Sequence, residues 1–465
     1  MHFPGMRIRG FVAGLVILQT TPVAALTPVV EVEEKVYTFT PANNGAGPMW
    51  CHGSTCLVRA GNRTFATGLE TVPGAQPLNN CRWVLWERSE GGWVRRFTDP
   101  GRTREPSPLA AFTSGELWVS NNPTLAPDRP EPGGGPARPE VLRFAASAPL
   151  RPAAMESPVW DGTPRFTEHS YRSLAADAEA RELVVFQNID STHAEWSFRD
   201  RDGRWSAHGQ LRWPWGADYP KPQPIRVCYP NVAVRGRAVH FFGVSDIQEP
   251  NPAWREFKHA LTGQHWDYDF RRLFYTWTPD VTGEPFRDWL EIASRERTAG
   301  STAVCDLHLA QDGSVHLIWT ERAIDERLRE RFFPAEKQSH SLHHAVLREG
   351  TVVRRSTLFA STEISPGVIA SAARFQPTPD GRLYVCFYAG GVDNTGRPLS
   401  ENRAMELKAD GTPGPAVRIP LSQPFTAWFT ATPRAGSPPS RTLEVLGVQR
   451  GFENAIRYAR IRLEP

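Results

Sequence analysis

Short apolar runs alternate with tight polar or glycine-centred turns along nearly the whole chain. The clearest instance is residues 226–277, where apolar runs at 227–234 and 238–244 flank Arg235-Gly236-Arg237 and a third run closes the stretch. Runs of this length, rich in Val and aromatics and joined by a Gly turn, predict a β-hairpin. Antiparallel pairing brings Tyr229, near the start of the first strand, to the same end as Ser245 and Asp246, so polar side chains collect at one rim.

Residues 251–263 interrupt the strand pattern and predict a short helix. Asn251 suits the cap, Pro252 the first turn and Gly263 the end, with Trp254, Phe257 and Leu261 as the apolar stripe. The hairpin pattern recurs with turns near Asn62, Ser114, Glu179, Gly236, Gly313, Gly381 and Gly436, spaced by 52 to 77 residues. A four-stranded propeller blade occupies about 40 to 50 residues, and insertions account for the excess. The pattern therefore predicts an all-β chain: a single seven-bladed β-propeller over residues 26–465, with a short helical insertion in blade 4.

The fifth unit shows four strands, near 304–309, 315–319, 342–347 and 352–358. The last shows only three, near 428–432, 443–448 and 455–461, so residues 36–40 are expected to supply its outer strand and close the ring. Closure removes exposed sheet edges. The Pro/Gly-rich segment 123–139 falls inside the second unit and reads as a surface loop.

Composition adds limits. With 42 Pro, 37 Gly and 16 Trp, the chain favours turns and aromatic-filled sheets, and a net charge of +3 gives no electrostatic reason to expect nucleic acid or an anionic membrane as partner. Of 53 basic residues only five are Lys; arginine suits bidentate recognition of carboxylates and sulfates, and a G+C-rich genome produces the same bias. Residues 1–25 carry Arg7, Arg9, an apolar core and Val23-Ala24-Ala25, the layout of a secretory signal peptide, so a secreted or periplasmic protein is expected. Six cysteines in an oxidising compartment make one or two disulfides an expectation, with Cys228, Cys305 and Cys386 in apolar strands as rival buried thiols. His340, His343 and His344 do not make a metal reading, because His343 and His344 point to opposite faces of a strand. No cofactor is expected, a structural ion stays open, and a monomer is expected.

In a propeller the starts of the innermost strands and the ends of their partners surround one mouth of the central channel. That rule nominates Trp50 and His52 with Glu70, His169 and Tyr171 with Asn188 and Asp190, Tyr229 with Ser245 and Asp246, and Asp306 with Glu321 and Arg322. His193, just beyond the second strand of unit three, and Arg255, on the inserted helix, join them. Histidines, a tyrosine, carboxylates and arginine at one mouth suit proton-transfer chemistry. The plain alternative for each histidine is a structural hydrogen bond, and for Arg255 a solvated helix face.

The hairpins QDGSVHLIWT and PDGRLYVCFY resemble those of the BNR-repeat propellers, which include sialidases and several polysaccharide lyases. The strict Ser-x-Asp-x-Gly-x-x-Trp box and the Phe-Arg-Ile-Pro motif are absent, which argues against a sialidase. The chain is more similar to the seven-bladed ulvan-type polysaccharide lyases, whose site uses two histidines, a tyrosine and an arginine. His169 and Tyr229 fall at matching strand starts, whereas the partner strand ends carry Asn188 and Ser245, so His193 and Arg255 would have to supply the second histidine and the arginine.

This resemblance implies β-elimination at a uronic acid of an acidic polysaccharide. Arg255 and His193 would neutralise the carboxylate, His169 and Tyr229 would share the acid and base roles, and the other rim residues would bind substrate. The rivals are a glycoside hydrolase using paired carboxylates among Glu70, Asp190, Asp306 and Glu321, and a non-catalytic glycan-binding propeller.

Overall fold

Burial along the strands falls off from the axis outward, as stacked blades require. In the third sheet, Glu182–Ile189 is buried at every position but the last, while the outermost strand, Trp205–Arg212, has every second residue exposed and only Leu211 buried. Inner strands are covered on both faces by neighbouring blades, and outer strands are covered on one. The structure, a computed structural model, describes residues 26–50, 54–128, 134–265, 267–408, 411–427 and 432–464. Among these residues seven four-stranded antiparallel sheets form the blades of a β-propeller. Their innermost strands are Leu57–Ala60, Leu109–Ala111, Ser173–Asp177, Val227–Arg235, Ala299–Leu309, Val368–Pro377 and Phe425–Ala427.

The core lies between blades. Val184 and Phe186 of blade 3 pack on Val239 and Phe241 of blade 4, and Phe242 and Tyr275 of blade 4 pack on Leu317 and Trp319 of blade 5. Trp83, Trp118 and Trp319 are fully buried, and burying a large apolar side chain contributes about 1.5–3 kcal/mol. The ring closes as expected: Thr27–Thr38 forms the outer strand of blade 7, pairing antiparallel with Ala455–Glu464 from Thr27↔Glu464 to Thr38↔Ala455. It is longer than the segment the sequence pattern marked. The innermost strand expected near 428–432, the expected signal peptide at 1–25, Cys51 and His52 fall wholly or largely outside the described residues.

The insertion in blade 4 is the helix α1, Pro252–Thr262, capped as its sequence predicts. Asn251 Oδ1 accepts from the Ala253 and Trp254 amides at 3.0 and 3.2 Å, and Gly263 ends it in the left-handed region at φ 70°. A second helix, α2, Glu326–Phe332, escaped the hydrophobic pattern; it is capped by Asp325 and packs edge-to-face on α1 through Trp254–Phe333 and Phe257–Phe332. Lys258 of α1 is buried between Glu249 and Asp267, each at 2.7 Å, and Arg271 also bonds Glu249. A buried ion cluster of this kind fixes geometry more than it adds net stability. No described helix is long and apolar enough to cross a membrane.

The central channel is crossed by residues 432–437, which follow the inner strand of blade 7. Thr55 Oγ1 donates to the Thr432 carbonyl at 2.9 Å, Arg434 bonds Asn231 of blade 4 and Asp306 of blade 5, and the Ala111 amide of blade 2 donates to Ala435 at 3.0 Å. Gly436 is obligatory here: its φ is 95°, and a Cβ would sit 1.9 Å from the Ala111 carbonyl oxygen. Asp306 ties this crossing to blade 6 as well, accepting from the Phe375 amide at 2.9 Å. Asp306→Ala is therefore expected to lower stability by about 3 kcal/mol, because it removes a buried carboxylate that holds the half-buried Arg434 and the Phe375 amide. Urea unfolding checks this, and a loss below about 1 kcal/mol would show that the crossing does not depend on the pair.

The expected disulfides are not formed among the described cysteines. Cys56, Cys81, Cys228, Cys305 and Cys386 are all free and buried. Four different blades hold them, so the strands that bury each thiol also keep it from most of the others.

Candidate active site

Three successive blade entries bring their first side chains together at one mouth. Arg104 precedes the inner strand of blade 2, His169 and Tyr171 precede that of blade 3, and Arg226 and Tyr229 begin that of blade 4. Both tyrosines have left-handed backbone, φ 37° at Tyr171 and 51° at Tyr229. The register of blade 4 shifts between Cys228 and Asn231, so Tyr229 stands out of the ladder where a regular strand would not place it. Positive φ in a bulky residue costs of order 1–3 kcal/mol and persists only where surrounding structure enforces it, which marks this mouth as a candidate site.

The rings form one cluster. Tyr171 meets Tyr229 edge-to-face at 5.5 Å, Trp50 meets Tyr229 likewise at 5.5 Å, Phe270 lies 5.9 Å from Tyr229, and His169 stacks on Tyr171 at 5.1 Å. The Arg226 guanidinium is held between the rings of Tyr171 and Tyr268, 5.5 Å from each, and donates to the carbonyl and carboxylate of Asp246 at 3.0 Å. Those bonds use two of its five N–H groups. Tyr268 is 41% exposed and reaches Arg226 because the base of the α1 insertion pairs as Gln248↔Tyr268. Arg104, buried, donates to the Asn44 carbonyl and to Glu105, and Glu105 in turn accepts from Ser170 at 2.7 Å.

Electrostatics separate the proton-transfer roles. Burial, with the positive charges of Arg104 and Arg226 beside it, lowers the His169 pKa to about 3, so its imidazole is neutral at neutral pH. Burial and then the negative charge of Asp246 push the Tyr229 phenol well above its ordinary value, with Tyr171 hydrogen-bonded to it acting in the opposite sense. Tyr171 is raised too, first by burial. Burial opposes the charge on Arg226, but Cys228, Asp246, Tyr171 and Tyr268 outweigh it and hold the guanidinium charged.

Of the residues nominated from sequence, the structure brings together His169, Tyr229 and Trp50, with Tyr171 and Asp246. Asn188 lies directly behind them, its amide donating to the Ser170 carbonyl at 3.2 Å. Asp190 is exposed in the following turn. His193 is on the same face but is held by Thr192 at 2.7 Å and Glu195 at 2.9 Å, and has no contact with the cluster. Arg255 is exposed on α1, and none of its contacts reaches His169 or Tyr229. The arginine beside the cluster is Arg226 instead, because the helix packs toward α2 and turns Arg255 to solvent.

The remaining nominees serve the framework. Ser245 accepts from the Arg271 and Arg272 amides, and Glu70 is taken by Arg82 and Arg95. Glu321 is taken by Arg295 and the Trp319 indole, Asp306 by Arg434, and Arg322 lies at the top of blade 5 opposite Ser301 and His340. His52 lies outside the described residues. Arg104 and Arg226 were missed, although the strand-start rule that found His169 applies to Arg226, which immediately precedes Val227. Among the described residues no group of three or more His, Cys, Asp or Glu is arranged to hold a metal ion.

No family model and no curated protein matches the sequence. Solved structures do share the fold. A polysaccharide lyase, Uly1, is similar over 94% of this chain and 93% of its own, at 12% identity and a TM-score of 0.53. A protein of unknown function from Dyadobacter fermentans is similar over 95% of this chain and all of its own, at 11% identity and a TM-score of 0.45. An α-L-arabinanase from Penicillium chrysogenum is similar over 94% and 98%, at 12% identity and a TM-score of 0.43.

Proposed function

We propose that this propeller is a secreted polysaccharide lyase that cleaves a uronic-acid-containing polysaccharide by β-elimination. The observation that carries the reading is the cluster of a neutral His169, a protonated Tyr229 and the charged Arg226 and Arg104 at one mouth. Elimination needs those three functions: a base for C5–H, an acid for the departing glycosidic oxygen, and cations that offset the carboxylate charge as C5 loses its proton. His169 takes the proton, the C4–O bond breaks as a C4=C5 double bond forms, and Tyr229 protonates the leaving oxygen. No oxidant or reductant is required, and solvent returns the proton from His169 to Tyr229.

Burial is the largest cause of the low His169 pKa, and the charges of Arg104 and Arg226 add to it; a carboxylate bound by the two arginines offsets that second contribution. Shared fold with a polysaccharide lyase accords with this chemistry. The hydrolase reading loses support because Glu70, Asp306 and Glu321 are each engaged by arginines and Asp190 is exposed in a turn.

Purified mature protein incubated with alginate, polygalacturonate, hyaluronan and chondroitin sulfate is expected to yield an unsaturated product seen by ultraviolet absorbance. New reducing ends without that chromophore would replace the lyase by a hydrolase. On the polymer that is cleaved, Arg226→Ala is expected to lower kcat/KM about 100-fold, the scale of one charged transition-state contact. Arg255→Ala is expected to stay within about twofold, as a solvated side chain should; the reverse order would return the carboxylate-binding role to the inserted helix.

A further inference from the structure

A second recess opens on the same face, across the mouth from the cluster. Its main lobe, of about 530 Å³, is lined by residues including Tyr388, Leu399, Ser400, Thr426, Arg450 and Glu453. A smaller lobe of about 200 Å³ shares Ser400 and Arg450 with it. Tyr388 lies near the end of the second strand of blade 6, Leu383–Gly391, and Arg450 directly follows the second strand of blade 7, Thr442–Gln449. Second strands end on the face where inner strands begin, so this recess and Tyr229 open on one surface. Blades 6 and 7 stand three places round the ring from blades 3 and 4.

The lining is suited to a charged sugar. Arg450 is exposed, and its guanidinium has no ion-pair partner among the described residues. Of the acids lining the two lobes, Glu453 accepts from the Gly451 amide at 3.0 Å and Glu401 is paired with Arg403. Tyr388 is half-buried with its hydroxyl fixed on Ser400 Oγ at 3.0 Å, which holds the ring still, and Thr426 supplies a further hydroxyl. An arginine with free donors beside a fixed aromatic ring and hydroxyls matches a pyranose bearing a carboxylate or sulfate.

We infer that this recess is a distal subsite for an anionic sugar residue of the same polysaccharide chain, with Arg450 as its cation. The inference rests on the reading of the mouth as a uronate-polymer site. A chain crossing the mouth from blades 3 and 4 reaches blades 6 and 7, so only long substrates engage both places.

The test measures calorimetric binding to the Tyr229→Phe protein, with and without Arg450→Ala, using polymers and tetrasaccharides of alginate, polygalacturonate and chondroitin sulfate. Arg450→Ala is expected to weaken polymer binding about tenfold and leave tetrasaccharide binding unchanged, with Arg450→Lys between. A larger effect on chondroitin sulfate than on the unsulfated polymers identifies sulfate as the group bound; equal effects identify the carboxylate. Equal polymer affinity with and without Arg450, or no binding of any of the three polymers, overturns the inference. The two readings fail separately: Arg450-dependent binding without unsaturated product removes the lyase and keeps the subsite. Unsaturated product with the same polymer KM in Arg450→Ala does the opposite.

Discussion

Tyr229→Phe is expected to lower the elimination rate by about 10³-fold while leaving the fold and KM nearly unchanged. The substitution removes one oxygen and keeps the ring that packs on Trp50, Tyr171 and Phe270. Burial and Asp246 hold that phenol protonated, so it carries a proton for a departing oxygen at neutral pH. His169→Ala should cost a similar factor, and the double variant little more than either alone, since the two act in one step. Single-turnover rates on a cleaved polymer provide the measurement. A Tyr229→Phe rate within tenfold of the parent, or a change confined to KM, would remove Tyr229 from the chemistry and leave it a packing residue.

Below neutral pH the protein is expected to lose several kcal/mol of stability, and buried and half-buried histidines supply the loss. Burial, the largest cause at each, lowers His240, His308 and His316 to about 4 and His344 and His169 to about 3. Three of them form a row across blade 5: His316 bonds His344 at 3.1 Å, and His308 lies 6.1 Å from His316 between ring centres. Arg235, Arg348 and Arg354 add positive charge around the row, while Asp306 and Asp312 oppose it.

The sign follows from comparing the two states. An unfolded histidine titrates near 6.5, so below that pH the unfolded chain binds protons that the folded chain refuses, and stability falls as pH falls. The contribution is whole above about pH 6.5, declines toward pH 4 and levels off below about 3. At pH 5 each such histidine costs about 2 kcal/mol, and coupled neighbours cost less than their sum. Urea unfolding at pH 7 and pH 5 measures the difference, and His344→Gln, which stays neutral, should flatten the dependence. Equal stability at the two pH values would mean that these rings are protonated in the fold or solvated.

Much of the architecture was legible because it is written in local, periodic features. Asn251, Pro252 and Gly263 mark α1 by backbone chemistry that needs no distant partner, and Gly236 or Gly313 marks a hairpin the same way. The missing fourth strand of the last unit pointed to the N-terminal segment, since an unpaired sheet edge needs a partner. Helix α2 escaped because it is seven residues long and held by α1. The channel crossing at 432–437 escaped because its partners lie in four other blades.

The sequence by itself determined the ring, the count of its blades and the mouth at which His169 and Tyr229 stand. Period-two burial, turn residues and strand starts are properties of near neighbours in the chain. Tertiary structure alone decided which cation joins them. Arg255 was nominated as an arginine on the adjoining insertion, yet α1 packs toward α2 and leaves it exposed, while Arg226 is drawn in by Asp246 and clasped by two tyrosines. Arg104 arrives from a blade entry more than 60 residues before His169. The lowered pKa of His169 follows from burial first and then from those two charges, none of which is a property of residues 168–170 themselves. Coulomb interactions and desolvation depend on distance in space, and the closing of the ring is what sets those distances.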